Sequence, residues 1–378
     1  MVSCLAFLSQ GGRASFTIYG QMTMTKVLVL GAGKIGIIVA ELLAGVGDYT
    51  VTLSDGDAAA MKVRPRDDVT PLVLDVNDAA ALGRSLDGMD VVVSALPFFL
   101  NRSVMQASRD SGAHYFDLTE DVETAHLARQ CSDGADTVFV PQCGLAPGFI
   151  SIVANHLVGK FDEIGDVRLR VGALPQFPDN ALKYNLTWST DGLINEYCNP
   201  CEAIHEGERR QLLALEGLES FSLDGIDYEA FSTSGGVGTL CETLAGRARN
   251  VSYKTIRYPG HRDMIQMLIH DLKLGEHRDT FKQLIEHGIP VTRQDVVLIF
   301  VTVTGMRDGV FTQETFAKKV YGDDEDGGHS AIQKTTAGGV CAMVDLHRDG
   351  KLPQSGFVRQ EDADFGDFIA NRFGRVYA

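Results

Sequence analysis

The stretch KVLVLGAGKIG, Lys26 to Gly36, decides how the rest of the chain is read. Valine and leucine dominate its first half, as in a strand buried on both faces. The run then enters Gly31-x-Gly33-x-x-Gly36, and the following IGIIVAELLAG has apolar residues at helical spacing and stops at Gly45. A glycine triplet alone says little, but one that ends a strand and opens a helix has the context a dinucleotide-binding turn requires. The first glycine permits the tight turn, the second lets a pyrophosphate approach the backbone, and the third lets helix pack on strand. Free amides and the helix dipole then hold the phosphates. Gly31, Gly33, Lys34, Ile35 and Gly36 are the candidate phosphate-binding residues.

The next segment, YTVTLSDGD, Tyr49 to Asp57, reads as a second strand ending in acid. Asp55 lies about twenty residues beyond the last motif glycine, where a carboxylate binds the adenosine ribose hydroxyls. A carboxylate there repels a 2′-phosphate, so the expected cofactor is NAD, with NADP disfavoured. Arg64 and Arg66 stand close enough in sequence to argue the other way. Strands over 70–76, 89–97, 113–118 and 137–144 follow, with helices over 77–86 and 122–130. Such alternation predicts an α/β fold with a Rossmann-type doubly wound parallel sheet. Ligands bind outside the carboxyl ends of such strands. Asp75, Ser94, Ala95, Leu96, Pro97, Asp117, Glu120, Asp121 and Cys143 all fall at those ends. Asp75 is placed near the adenine, and the later segments near the nicotinamide.

With 378 residues the chain exceeds one ordinary core and predicts more than one domain. Its net charge of -16 argues against nucleic acid and anionic membrane surfaces as partners. No apolar run is long enough to span a bilayer. The start, MVSCLAFLSQGGRASF, has no basic residue before its apolar run and makes a poor secretory signal. Residues 1–24 are therefore read as a flexible extension or as a product of start-site choice, with Met22 and Met24 standing just before the first strand. Seven scattered cysteines indicate reduced thiols and a cytoplasmic location. Cys198 and Cys201 form a CxxC, but structural zinc usually shows a second close pair, so no metal is expected.

CGLAPGFISIVANHL (143–157) turns through Gly144 and Pro147-Gly148 into a helix. Together with SALPFFLN upstream, the YxxTWS segment at 184–189 and TIRYPGH (255–261), it carries a family resemblance. From about residue 25 nearly to its end, the chain resembles the saccharopine dehydrogenase-like oxidoreductases. Within them it is most similar to the branch with L-lysine 6-dehydrogenase activity. The resemblance implies a nicotinamide-dependent enzyme acting on carbon–nitrogen bonds of lysine-derived substrates, and a homodimer. It also implies a Rossmann domain (25–147), an α/β substrate domain with an open mixed sheet (148–329), and a C-terminal segment (330–378) that returns to the first domain. VRLRVGALP (167–175) and DVVLIFVTVTG (295–305) read as strands of the second domain, and 330–350 as a helix.

Oxidising an amine requires a base near the operating pH to take the ammonium proton, and water must then add to the imine. Asp117, Glu120 and Asp121 are the candidates to hold the ammonium, although Asp121 also reads as a helix N-cap. Cys143 either lines the nicotinamide pocket or merely packs. Arg257 is the first choice for a substrate carboxylate, since a guanidinium binds one with two parallel hydrogen bonds. His261 is the alternative, as ligand, proton relay or structural residue. Ser234-Gly235-Gly236-Val237-Gly238 offers either amides to an anion or a bland loop. Tyr184 and Trp188 either wall the aliphatic part of the substrate or sit in the core. Saccharopine-type members of the family carry an arginine after the tryptophan motif, and here Thr190-Asp191 stands in that place. Asp191 thus tips the expectation from saccharopine to lysine. A glutamate-forming saccharopine dehydrogenase, a carboxynorspermidine dehydrogenase-like Schiff-base reductase and a dinucleotide sensor without turnover are the alternatives.

Overall fold

The computed structural model describes residues 24–62, 66–323 and 328–378. Residues 1–23 of the expected extension, 63–65 with Arg64 among them, and 324–327 lie outside the described residues. Seven parallel strands build the first sheet: β1 (Thr25–Leu30), β2 (Tyr49–Asp55), β3 (Thr70–Val73), β4 (Val91–Ser94), β5 (His114–Asp117) and β6 (Val138–Val140), joined late in the chain by β15 (Gly356–Phe357). Their order is β15-β6-β5-β4-β1-β2-β3. The chain winds one way from β1 and the other way from β4, so the crevice of this doubly wound sheet opens between those two strands. Leu30 and Ser94 stand level there, and Ala95 N donates to Leu30 O at 2.8 Å. Val27 to Leu30 are fully buried, as the apolar run demands. Several strands are shorter than expected: β3 ends at Val73, β4 at Ser94 and β6 at Val140.

The second sheet is mixed and open. It contains β7 (Glu163–Pro175), β8 (Cys201–His205), β9 (Glu208–Leu212), β10 (Glu219–Leu223), β11 (Ile226–Ser232), β12 (Ala248–Arg257), β13 (Asp295–Arg307) and β14 (Val310–Tyr321). The main order is β10-β11-β12-β7-β13-β14, with β8 paired to β12 and β9. Only β12 and β7 run parallel; the other neighbours are antiparallel. The two expected strands of this region are β7 and β13, antiparallel neighbours in the interior of the sheet.

The helix Ala331–Arg348 ties the two sheets together. Ser330 and Gln333 form a capping box at its start. Buried Asp295, at the head of β13, accepts from Ala331 N at 2.6 Å and Ile332 N at 3.0 Å. A carboxylate on two free amides at a helix N-terminus is favoured by the dipole. At the other end, buried Asp345 accepts from Tyr49 Oη (2.6 Å), Asn371 Nδ2 (2.8 Å) and Arg372 Nη2 (2.7 Å). Among the described residues no helix is long and apolar enough to cross a membrane.

Asp345→Ala strands the Tyr49 hydroxyl and the Arg372 guanidinium without this acceptor. The expected loss, read by urea unfolding, is about 2–3 kcal/mol, the scale of a charged hydrogen bond deleted from a buried site.

Candidate active site

The glycine turn behaves in two different ways. Gly31 has φ +98°, and a Cβ there would stand 2.8 Å from Ala95 O. A Cβ on Gly36 would collide with Gly31 O. Both glycines are demanded by the protein itself. Gly33 is not: its backbone is ordinary, and a Cβ there would meet nothing within 4 Å. That open space above the loop, beside a helix N-terminus with no side-chain cap, fits a pyrophosphate. Lys34 is exposed, and its carbonyl accepts from Gln333 Nε2 at 2.9 Å, which fastens the turn to the long C-terminal helix. Asp55 sits beside the turn, with Oδ2 accepting from Ala32 N at 2.8 Å and Oδ1 from Asp57 N at 2.9 Å. Arg66 pairs with Asp68 at the surface. Asp75 is exposed and folds onto Asn77, which holds its carboxyl below the usual range.

A cavity of about 290 Å³ lies between the crevice and the second sheet. Ile35, Ala95, Leu96 and Pro97 form its crevice side, and Tyr253, Thr255 and Arg257 of β12 its opposite wall. Asp191, Glu120 and Glu196 complete the polar part, and Trp188 adds an aromatic wall. Six sequence candidates beyond the glycine turn's Ile35 therefore converge on the site, from segments far apart in the chain: Ala95, Leu96, Pro97, Glu120, Trp188 and Arg257. Asp191 reaches only the rim, where Lys282 Nζ donates to it at 2.7 Å. Both partners are exposed by more than a third, so the rim carries a balanced pair rather than a lone negative charge.

The other candidates stand outside the cavity, each for a physical reason. Asp117 is fully buried and saturated: it accepts from Tyr115 Oη (2.7 Å), Thr119 N (3.0 Å) and Gln142 N (2.9 Å). Burial pushes its carboxyl up to about 6 against those bonds. Ser94 donates to Asn101 Oδ1 at 2.7 Å, and Asn101 faces Asp117, so both knit strand ends together. Asp121 is the N-cap of helix Val122–Ser132, accepting from Thr124 N at 2.8 Å. Cys143 packs: its thiol donates to Val140 O at 3.0 Å and accepts from Gln360 Nε2 at 3.3 Å. In the Ser234–Gly238 loop, Gly235 packs on Glu120 and Gly236 on the Tyr253 ring, so close approach explains its glycines.

Tyr184 and His261 lie one layer behind Arg257. The Arg257 guanidinium sits 4.8 Å from the Tyr184 ring centroid. Its Nε donates to Tyr197 Oη at 3.0 Å and its Nη1 to Ile256 O at 2.9 Å. Tyr197 Oη lies 3.0 Å from His261 Nε2, and His261 Nδ1 lies 2.8 Å from Leu182 O. A carbonyl only accepts, so Nδ1 carries the proton and Nε2 accepts from Tyr197. Burial and the neighbouring Arg257 push His261 down to about 3, which keeps it neutral. This chain of single-direction bonds fixes the guanidinium and leaves Nη2 for a ligand.

Glu196, invisible to the sequence reading, is the acid that faces Arg257 across the cavity wall. It sits in helix Thr190–Cys198 among Leu193, Ile194 and Tyr197, all buried. An acid on the buried face of a short helix was the available signal. Burial pushes Glu196 up to about 8, partly offset by Arg257, and Glu120 up to about 7. Both thus titrate near neutrality, where a proton acceptor for an amine works best.

Residues 27–137 match the saccharopine dehydrogenase NADP-binding domain, and residues 144–374 match the saccharopine dehydrogenase C-terminal domain. The chain belongs to the saccharopine dehydrogenase family. Among its relatives is the mitochondrial alpha-aminoadipic semialdehyde synthase of Mus musculus, 24% identical over 319 residues, which cover 80% of this chain and 34% of that one. Another is the NADP(+), L-glutamate-forming saccharopine dehydrogenase of Pyricularia oryzae, 23% identical, covering 71% of this chain and 62% of that one. The chain spans about a third of the length of the first and less than two thirds of the second. The fold matches that of the apo L-Glu-forming saccharopine dehydrogenase from Saccharomyces cerevisiae with a TM-score of 0.75 at 17% identity, over 91% of this chain and 96% of that one.

The raised Glu196 pKa makes a prediction for this family member's stability. Below about pH 4.5, the ordinary glutamate value, folded and unfolded states both keep the proton and Glu196 costs nothing. As pH rises toward about 8, only the unfolded state releases it, so stability falls across that window and levels off above it. In Glu196→Gln this loss disappears, and melting curves at pH 5 and pH 8 should lie closer together than in the parent protein.

Proposed function

We propose that the protein is an NAD-dependent L-lysine 6-dehydrogenase, converting lysine to 2-aminoadipate 6-semialdehyde and ammonium. The observation that carries this reading is the charge lining the cavity. Among the described residues it comprises Glu120, Glu196 and Asp191 against one base, Arg257. With Asp191 neutralised at the rim by Lys282, two acids and one guanidinium remain. Lysine presents the complementary set, two ammonium groups and one carboxylate. Saccharopine has three carboxylates and would bring surplus negative charge to two glutamates.

In this reading Arg257 holds the α-carboxylate, oriented by Tyr197 and His261. Trp188 and the apolar crevice residues exclude water around the aliphatic chain. Glu120, nearest the end of β5, takes the proton from the side-chain ammonium. A bound nicotinamide dinucleotide supplies the hydride acceptor. Asp55 supports NAD over NADP, because a carboxylate at the ribose repels a 2′-phosphate. The names of the relatives favour the second reading, a glutamate-forming saccharopine dehydrogenase, and the NADP label of the matching domain runs against NAD.

Absorbance at 340 nm separates these readings. Lysine with NAD should give turnover at least tenfold above saccharopine or NADP. Arg257→Ala should raise the KM for lysine by about 10- to 100-fold, the equivalent of roughly 1.5–3 kcal/mol for a charged hydrogen-bonded pair. Faster turnover with saccharopine would reverse the assignment.

A further inference from the structure

A second cavity of about 450 Å³ lies against the first, and the two share Glu120 and Glu196 as their common wall. Their linings differ in kind. Ile35, Leu96, Phe98, Leu118, Leu145 and Trp188 make the first mostly apolar. Asp121, Glu123, Asn199, Arg210, Gln211 and Ser234 make the second polar. This division matters for any enzyme that oxidises an amine. The oxidation step works best with water excluded, yet the imine it forms must then be attacked by water.

Glu196 stands where both demands meet. It is 6% exposed, and among the described residues its carboxylate has no hydrogen-bond partner or ion pair. A buried carboxyl group without a partner is costly unless a ligand or water completes it. Its neighbour Asn195, also on the second cavity, has a buried Nδ2 with no partner, while Arg278 Nη1 holds its Oδ1 at 3.1 Å. An unpartnered acceptor and an unpartnered donor on one cavity are what a bound water requires.

We propose that the second cavity is the water channel of the active site and that Glu196 is the base that activates the hydrolytic water. The water oxygen bonds to the imine carbon while one of its protons passes to the Glu196 carboxylate. Glu196 then returns that proton to the carbinolamine nitrogen; the carbon–nitrogen bond breaks with its electron pair leaving on the amine, the hydroxyl proton passes back to the Glu196 carboxylate, and an aldehyde remains. No electrons are exchanged in this step. The inference rests on the amine-oxidation reading but not on the choice between lysine and saccharopine, since both give an imine.

The test compares the parent protein with Glu196→Gln and with Val122→Trp, which narrows the second cavity from the first turn of helix Val122–Ser132. Stopped-flow absorbance at 340 nm, with NAD and each amine in turn, separates the first NADH formed from steady turnover. Val122→Trp should keep a burst of about one NADH per site at nearly the parent rate and lose at least tenfold in steady state, and Glu196→Gln should lose at least tenfold more in steady turnover than in the burst. Burst and steady rate falling together, or neither changing, overturns the channel. A raised KM with no such split in Val122→Trp means that the cavity holds part of the substrate, which overturns it too. If neither amine turns over in the parent protein, the amine-oxidation reading fails first and the channel falls with it. A single cooperative melting transition in each variant shows that it is folded.

Discussion

A guanidinium keeps its proton at any pH a protein survives, and Arg257 carries one at 2% exposure. Such a group persists in the interior only if bonds and opposite charge replace its water. The helices and loops packed against the second sheet provide the bonds. Tyr197, His261 and the Leu182 carbonyl form a relay in which each hydrogen bond has one possible direction, and the Tyr184 ring covers the guanidinium face. Burial keeps Glu196 largely protonated at neutral pH, and Arg257 favours its ionisation. The geometry of the whole substrate wall, from β12 to the helix Thr190–Cys198, follows from keeping this cation buried and aimed.

The same cation sets the logic of the two glutamates. Burial raises the proton affinity of both, the neighbouring Asp121, Asp117 and Asp191 raise Glu120 further, and Arg257 restrains Glu196 while Glu120 raises it. A cavity of one fixed positive charge and two adjustable acids can hold a zwitterion with an extra amine and still release a proton near neutrality. The first sheet contributes the complementary half. Its crevice residues, Ala95 to Pro97, bring an apolar surface against the same cavity, and Gly33 leaves open space for phosphate beside it.

Much of this was legible in the sequence. The glycine turn, the acid-tipped second strand and the alternation of strand and helix carry the first sheet, because local pattern dictates local structure there. The site was only half legible. Arg257, Trp188, Glu120 and Ala95 to Pro97 line one cavity, since chemistry-bearing residues at strand ends and turns tend to face a crevice. Asp117, Ser94, Cys143 and His261 do not reach it. Their roles are set by partners that spacing does not reveal, such as Tyr197 for His261, 64 positions away. Lys282 escapes for the same reason: it is 91 positions from Asp191, and its charge cancels the one on which the sequence argument for lysine leaned. Glu196 escapes because a helical acid reads as solvent-facing unless the buried face is known.

The central claim is that one buried guanidinium and two glutamates define the substrate. A crystal structure with NADH and lysine tests it most directly. The account predicts the lysine carboxylate on Arg257, with the side-chain nitrogen against Glu120 and Glu196. A carboxylate bound away from Arg257, or an amine that touches neither glutamate, would contradict it.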